Sequence, residues 1–333
     1  MKIQNPPQSP FFKGGDYWRP TASLANLKLR AALLEKLRAF FEARGMLEVD
    51  TPVLSYAGAT DRHLASFQLE HPHSGRLYLQ TSPEFPMKRL LAAGAGDIYQ
   101  VCKVFRGDES GRLHNPEFTL VEWYRLGFDA HRLMQEVAEL IGTLVPAAHR
   151  PVEYLTYRDA FQQIAGFDPF TTDKSACLRS LQAAGRTLLA DDMLDLDGWL
   201  DLVAGDLVYP QLGRNRLTFI YDYPASQAAL ARVRPGNPPV AERFEAFFDG
   251  FELANGFHEL TDANEQRRRF VADNAWRRAQ GLPEVRMDEN LLSALAHGLP
   301  DCAGVALGFD RVLMLAAGVA SIKEIIAFPF DRA

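Results

Sequence analysis

Arg106, followed after a short polar loop by His114-Asn115-Pro116-Glu117-Phe118-Thr119-Leu120-Val121-Glu122-Trp123-Tyr124, is the stretch on which the fold turns. A strand over 117 to 126 sends Phe118, Leu120, Glu122 and Tyr124 to one face of a sheet, because side chains alternate along a strand. That face mixes stacking surface with carboxylate. The preceding run Asp97-Ile98-Tyr99-Gln100-Val101-Cys102-Lys103-Val104-Phe105-Arg106 also reads as a strand. Together they predict a long hairpin with Arg106 near its mouth, a place where a guanidinium and an aromatic ring could clamp a nucleotide. An amphipathic hairpin with Phe118 and Tyr124 as ordinary core satisfies the same alternation.

Two further stretches stand at a distance from this hairpin. Gly45-Met46-Leu47-Glu48-Val49-Asp50-Thr51-Pro52-Val53-Leu54 is a helix end followed by a strand that proline breaks, and Gly304-Val305-Ala306-Leu307-Gly308-Phe309-Asp310-Arg311 is a glycine-spaced strand turning into a helix. The first stretch resembles motif 2 of the class II aminoacyl-tRNA synthetases, in the form found in lysyl-tRNA synthetases; the other two resemble motifs 1 and 3. All three occur in family order, and the similarity runs over most of residues 22 to 331. The resemblance implies an α+β fold with a mostly antiparallel sheet flanked by helices, and a homodimer built on motif 1. It also implies an N-terminal arm over residues 1 to 21, then one catalytic domain over 22 to 333 with a helical insertion at about 129 to 215.

Composition agrees with a soluble enzyme. The 333 residues are 47% hydrophobic and 23% charged, enough for a large core in one big domain. A formal net charge of −6 argues against broad nucleic-acid binding, though not against a local basic patch. Arg267, Arg268 and Arg269 could supply such a patch or lie on a solvated helix face. Cys102, Cys177 and Cys302 have no metal-like spacing, which suits a reducing cytoplasm. The start is proline-rich without an apolar core, unlike a signal peptide, and no apolar run is long enough to span a membrane.

A helix is predicted from Ser23, with Leu24, Leu27, Ala31, Leu34, Leu37, Phe40 and Phe41 as its apolar stripe and Gly45 as its stop. Arg76-Leu77-Tyr78-Leu79-Gln80-Thr81 reads as a strand, after which Ser82 caps a helix with Pro83 first and Gly94 just past its end. Glu84 then complements the helix dipole, and the resemblance gives it a second role on the substrate α-amino group. Helices are predicted over 131 to 145, 158 to 165, 175 to 184 and 200 to 208. Residues 218 to 224 read as a strand.

Asp249-Gly250 is a hairpin turn signal of the primed type. A two-residue loop pairs Phe248 with Phe251 and Phe247 with Glu252, which makes Glu245 and Glu252 diagonal neighbours on one face. Two carboxylates that close require a cation or proton between them unless the hairpin is solvated. Mg²⁺ bridged to ATP phosphates is the natural cation, and both residues match the family's metal-binding glutamates. Asn255, Phe257 and Glu259 share a face, and a bulge near Ala254 or Asn255 is needed to bring Glu252 onto it. In lysyl-tRNA synthetases the residues matching Glu259 and Tyr124 hold the distal ammonium of lysine, and Glu122 adds to the negative charge of the pocket. Asp310 is expected to cap a helix beginning at Arg311, whose guanidinium at the positive helix end calls for an anion or a neighbouring carboxylate.

The resemblance implies activation of an amino acid as its adenylate. Arg106 and Mg²⁺ stabilise the α-phosphate, Arg311 holds the leaving pyrophosphate and Phe118 stacks on adenine, with His114 and Asn115 of motif 2 also on the ATP side. Asp108 stands where the family usually has a Glu that contacts adenine, so either it or Glu109 takes that part. Lysyl-tRNA synthetases carry an N-terminal anticodon-reading barrel, whereas motif 1 here begins almost at the first residue, so an acceptor other than tRNA is expected. Free-standing bacterial relatives with this layout, the elongation factor P lysine ligases, activate (R)-β-lysine and transfer it to a lysine side chain of elongation factor P. The stretch from Tyr223 to Ala231 is similar to theirs, and Ala306 replaces a glycine that the synthetases keep. The alternatives are a stand-alone lysine-activating enzyme with another acceptor, tRNA or a small amine, or a regulatory paralogue without catalysis. An aspartate pocket is disfavoured by Glu122 and Glu259, and loss of catalysis by the presence of both arginines.

Overall fold

A computed structural model describes residues 18–62, 64–107, 109–148, 151–186 and 194–333. The expected Asp108 contact and most of the expected N-terminal arm lie outside the described residues. The chain opens with helix α1 (Leu24–Glu42), where the Ser23 hydroxyl accepts from the Asn26 amide at 3.1 Å. Its buried residues are Leu33, Leu37, Phe40 and Phe41, and Gly45 follows at φ +68°. The core stripe is narrower than expected: Leu24 is 73% exposed and Ala31 also faces outward.

Strand β1 (Leu47–Glu48), Pro52 and strand β2 (Leu54–Ser55) follow, then β3 (Gln68–His71), β4 (Gly75–Leu79) and helix α2 (Glu84–Ala92). The predicted hairpin forms as β5 (Ile98–Phe105) and β6 (Glu117–Leu126), with Val104 opposite Phe118 and the Arg106 amide donating to the Pro116 carbonyl at 2.9 Å. Helix α3 (Ala130–Leu144), strand β7 (Glu153–Thr156) and helices α4 (Tyr157–Ile164), α5 (Lys174–Ala183) and α6 (Leu196–Val203) come next. The last predicted helix begins four residues earlier than expected, and its later part, Ala204–Val208, is wound as a π turn. Strand β7 was not anticipated. The remaining elements are β8 (Leu217–Pro224), β9 (Val233–Arg234), β10 (Val240–Phe248), β11 (Phe251–His258), α7 (Ala263–Ala279), α8 (Glu289–Gly298), β12 (Cys302–Gly308) and α9 (Phe309–Ala317).

Nine strands make one sheet in the order β1-β5-β6-β12-β11-β10-β8-β7, with β9 on β10. Only the outer pairs β1–β5 and β7–β8 run parallel. The central strands are therefore antiparallel, as expected of this α+β fold. Helices α1, α3 and α9 bury one face in the main core around Phe41, Trp123, Leu307 and Phe309. Helices α4 to α6 pack a second core on β8 and β10, and α2, α7 and α8 a third one around Met87 and Leu291. No helix among the described residues is long and apolar enough to cross a membrane.

Candidate active site

Strands β5, β6, β10, β11 and β12 bring the predicted chemistry to one face, where two cavities meet. The smaller, about 200 Å³, is lined by Arg106, Glu109, His114, Asn115, Phe118, Glu252, Ala306 and Arg311, among others. The Arg106 guanidinium lies over the Phe118 ring, 5.1 Å from its centroid, and pairs with Glu109 at 2.9 Å. From the start of α9, Arg311 donates to the Glu252 carbonyl at 2.7 Å and lies 2.7 Å from Nε2 of His114. A guanidinium only donates, so that nitrogen must accept and the imidazole is neutral. Burial and the Arg311 charge push His114 below its ordinary value, in the same direction. Asn115 lines the cavity, but its amide is engaged by the backbone, donating to Glu117 O and accepting from Phe330 N.

The Asp249-Gly250 turn has both residues at positive φ, and it sets the expected pairs Phe248–Phe251 and Phe247–Glu252. The bulge falls on Leu253, one residue before the expected position. This lets Leu253 and Ala254, neighbours in sequence, both enter the main core. Glu245 consequently opposes Asn255. Burial raises the Glu245 carboxyl, Arg243 at 2.5 Å opposes that and Glu252 adds to it.

Glu252 lines the smaller cavity, whereas Glu245 lines neither and has its carboxylate on Arg243; carboxylate from one side only suits a divalent cation shared with phosphate. Among the described residues no three His, Cys, Asp or Glu side chains converge to cage a metal unaided. Glu245 and Glu252 would hold such an ion from one side, leaving its other positions to phosphate oxygens and water, as Mg²⁺ prefers. The buried Asn255 Oδ1 beside them has no hydrogen-bond partner.

The larger cavity, about 860 Å³, is lined at its inner end by Glu84, Glu122, Tyr124, Phe257, Glu259 and Gly304. Glu122 accepts from Tyr124 OH at 2.7 Å and from Ser82 Oγ at 2.6 Å. Ser82 does not cap α2 as expected: the helix begins at Glu84 with Pro83 as its N-cap and no side-chain capping bond, and the Ser82 hydroxyl accepts from the Glu84 amide at 3.0 Å while it orients the Glu122 carboxylate. Burial, then the charge of Glu84, raises Glu122 to about 8. Burial raises Glu259 to about 7 against the opposing effect of Lys88. Gly304 is required here: a Cβ would lie 2.2 Å from Tyr124 Cε1 and 2.6 Å from Glu259 Oε1. Arg106, Asn255 and Ala306 line both cavities and mark where they join.

The profile of the family "tRNA synthetases class II (D, K and N)" matches residues 16–332. The chain belongs to this class II synthetase family. Similar curated proteins include those named "Elongation factor P--(R)-beta-lysine ligase" from Salmonella paratyphi B, Salmonella schwarzengrund and Salmonella heidelberg. Each is 49% identical over 321 residues, covering 95% of this chain and 98% of the relative.

Within this class II synthetase fold the structure corrects one motif 3 expectation. Helix α9 begins at Phe309, its N-cap is Gly308 and Asp310 does not cap it. The buried Asp310 carboxylate instead accepts from Arg30 Nη1 at 2.5 Å and from the Thr119 amide at 2.6 Å, tying α9 to α1 and β6. Its position one residue inside the first turn leaves it free to reach across. The arginine run resolves as a paired helix face, Arg267 with Glu289, and Arg268 and Arg269 with Glu265. Two side chains escaped sequence reading. Lys88 Nζ lies 2.6 Å from Glu84 and 2.5 Å from Glu259, and Arg243 holds Glu245 while its cation lies 4.6 Å from the Tyr223 ring centroid. The i, i+4 spacing of Glu84 and Lys88 was a legible signal; their burial was not.

Proposed function

We propose that this chain is an ATP-dependent, AMP-forming ligase that activates (R)-β-lysine and transfers it to a lysine side chain of elongation factor P. The observation that carries the reading is the meeting of the two cavities at Arg106, Asn255 and Ala306. An amino acid with its amines among Glu84, Glu122 and Glu259 has its carboxylate end directed toward Arg106, and a nucleotide lying on Phe118 directs its phosphates to the same place. The names of relatives 49% identical over 95% of the chain support both the amino acid and the acceptor.

The substrate carboxylate attacks the α-phosphorus in line; an O–P bond forms, the bond to the β-phosphate oxygen breaks and pyrophosphate leaves. The acceptor amine then attacks the acyl carbon and AMP departs. Arg106 is placed to neutralise charge where the two reactants meet, and Arg311, fixed by Glu252 and neutral His114, to hold the phosphate tail. Mg²⁺ held by Glu245 and Glu252 would supply charge neutralisation on the phosphates. Loss of one such preorganised donor costs roughly 3 kcal/mol, a hundredfold or more in rate.

A cytoplasmic homodimer completes the reading. The exposed apolar side chains Leu24, Leu47, Leu54 and Tyr56 lie on or beside the motif 1 elements, where a second copy would cover them. Light scattering should give twice the chain mass.

The decisive experiment measures pyrophosphate exchange with ATP, Mg²⁺ and (R)-β-lysine in the absence of tRNA, then weighs elongation factor P. Exchange and a gain of one β-lysyl mass are expected, with tRNA left uncharged. Efficient tRNA charging would replace the acceptor, and nucleotide binding without exchange for any lysine isomer would favour a regulatory paralogue.

A further inference from the structure

Lys88 has no part in the chemistry above, and it lines neither cavity. It lies on α2 one turn after Glu84, is only 1% exposed, and bridges Glu84 Oε1 at 2.6 Å and Glu259 Oε2 at 2.5 Å. One ammonium, standing behind the cavity wall, therefore joins two carboxylates that reach the wall from different elements. Buried carboxylates that close do not both ionise without a cation between them; they share a proton. Burial alone would lower the Lys88 ammonium, and the two carboxylates reverse this and hold it charged.

We propose that Lys88 is a positioning residue: it offsets the repulsion between Glu84 and Glu259 and holds them at a fixed separation, so that each presents its carboxylate to a different ammonium of a diamino acid. This rests on reading the cavity as the β-lysine site. The groups interacting with the pair are Lys88 from α2, Glu122 and Tyr124 from β6 and the Cys302 thiol from β12, while Arg89, Arg106, Arg243 and the Gln266 amide line the same cavity. Among the described residues Lys88 is the one cation that pairs with either carboxylate. Without it nothing offsets the repulsion between the two carboxylates, so the site holds one more proton than in wild type, and a second substrate ammonium binds only by expelling it.

The test compares wild type, Lys88→Met and Lys88→Ala in pyrophosphate exchange from about pH 6 to about pH 8. In the variants KM for β-lysine should rise about a hundredfold at the acid end while KM for ATP stays within a few-fold. It should then fall with pH more steeply than in wild type by about tenfold per unit, the signature of one additional proton released on binding. Propylammonium, which rebuilds the missing side chain in Lys88→Ala, should restore the wild-type slope, and propanol of similar shape should not. Parallel pH profiles, equal loss of both substrates or equal rescue by propanol would make Lys88 a packing residue and overturn the proposal. Should the single variants fail to fold, Lys88→Met/Glu84→Gln removes the like-charged pair and is expected to fold with no additional proton; an additional proton there would count against the proposal. Absence of β-lysine-dependent exchange in wild type would refute the β-lysine reading instead. In that case carboxyl ¹³C titration of the ligand-free proteins still decides on Lys88, which requires one more protonated glutamate in Lys88→Met than in wild type.

Discussion

Ala306 stands opposite Glu122 on one side and Asn255 on the other, at the junction of the two cavities. On the proposed reading its methyl group crowds the α-amino group of an α-amino acid substrate, where the lysyl-tRNA synthetases that the chain resembles carry glycine. β-Lysine bears its amino group one carbon farther from the carboxylate and so can direct it elsewhere. A contact of one methyl group is worth roughly 1–3 kcal/mol in discrimination. Ala306→Gly should therefore raise α-lysine activation relative to β-lysine by about one to two orders of magnitude in pyrophosphate exchange. An unchanged ratio would remove Ala306 from specificity. Single residues were legible where a local rule fixed them: Asp249-Gly250 set the register that brings Glu245 beside Glu252, and Arg106 followed from the hairpin mouth. Lys88 and Asp310 were not, because their partners lie far along the chain and nothing local distinguishes a buried cation from a solvated one.

Among the elements, α1, α9 and β6 are locked together by one buried cluster. Arg30 donates to Asp310 and to Thr119 Oγ1, each at 2.5 Å, while the Thr119 amide donates to Asp310 at 2.6 Å. Asp310→Ala would leave the Arg30 guanidinium without its carboxylate and the buried Thr119 amide without its acceptor, at a cost of about 3–5 kcal/mol. Urea unfolding should show that loss, together with a raised KM for ATP, because α9 carries Arg311; an unchanged midpoint would show the cluster to be dispensable. The β5–β6 and β10–β11 hairpins and α1 to α5 were readable from apolar period and end signals, whereas the β3–β4 hairpin was not. Strand β7 was not, being four residues long and running straight into α4. Helix α7 has Phe270 as its only buried apolar residue, so its amphipathic signal is faint. The bulge on Leu253 was required by the face that Asn255 and Glu259 share, but only packing of the main core chooses between adjacent positions.

At the scale of the whole molecule, the acidic pocket ties stability to pH. Burial, then the charge of Glu84, lifts Glu122 from 4.5 to about 8, so the unfolded chain releases this proton before the native protein does. Between those values the folded state binds more protons, and its stability falls as pH rises by up to about 1.4 kcal/mol per unit for one such group. Thermal unfolding between about pH 5 and pH 8 should show a declining midpoint that Glu122→Gln flattens and raises at the alkaline end. A wild-type slope retained in the variant would assign the effect to other groups. The sheet order has a different consequence, one of assembly. Strand β12 lies between β6 and β11, yet it is made after both. While the ribosome is still translating the segment between β11 and β12, those two strands present bare edges, open to pairing with another chain. Threading β12 between them closes the edges and sets Gly304 and Ala306 in place in the same event. Completion of the pocket walls is thus a late product of translation.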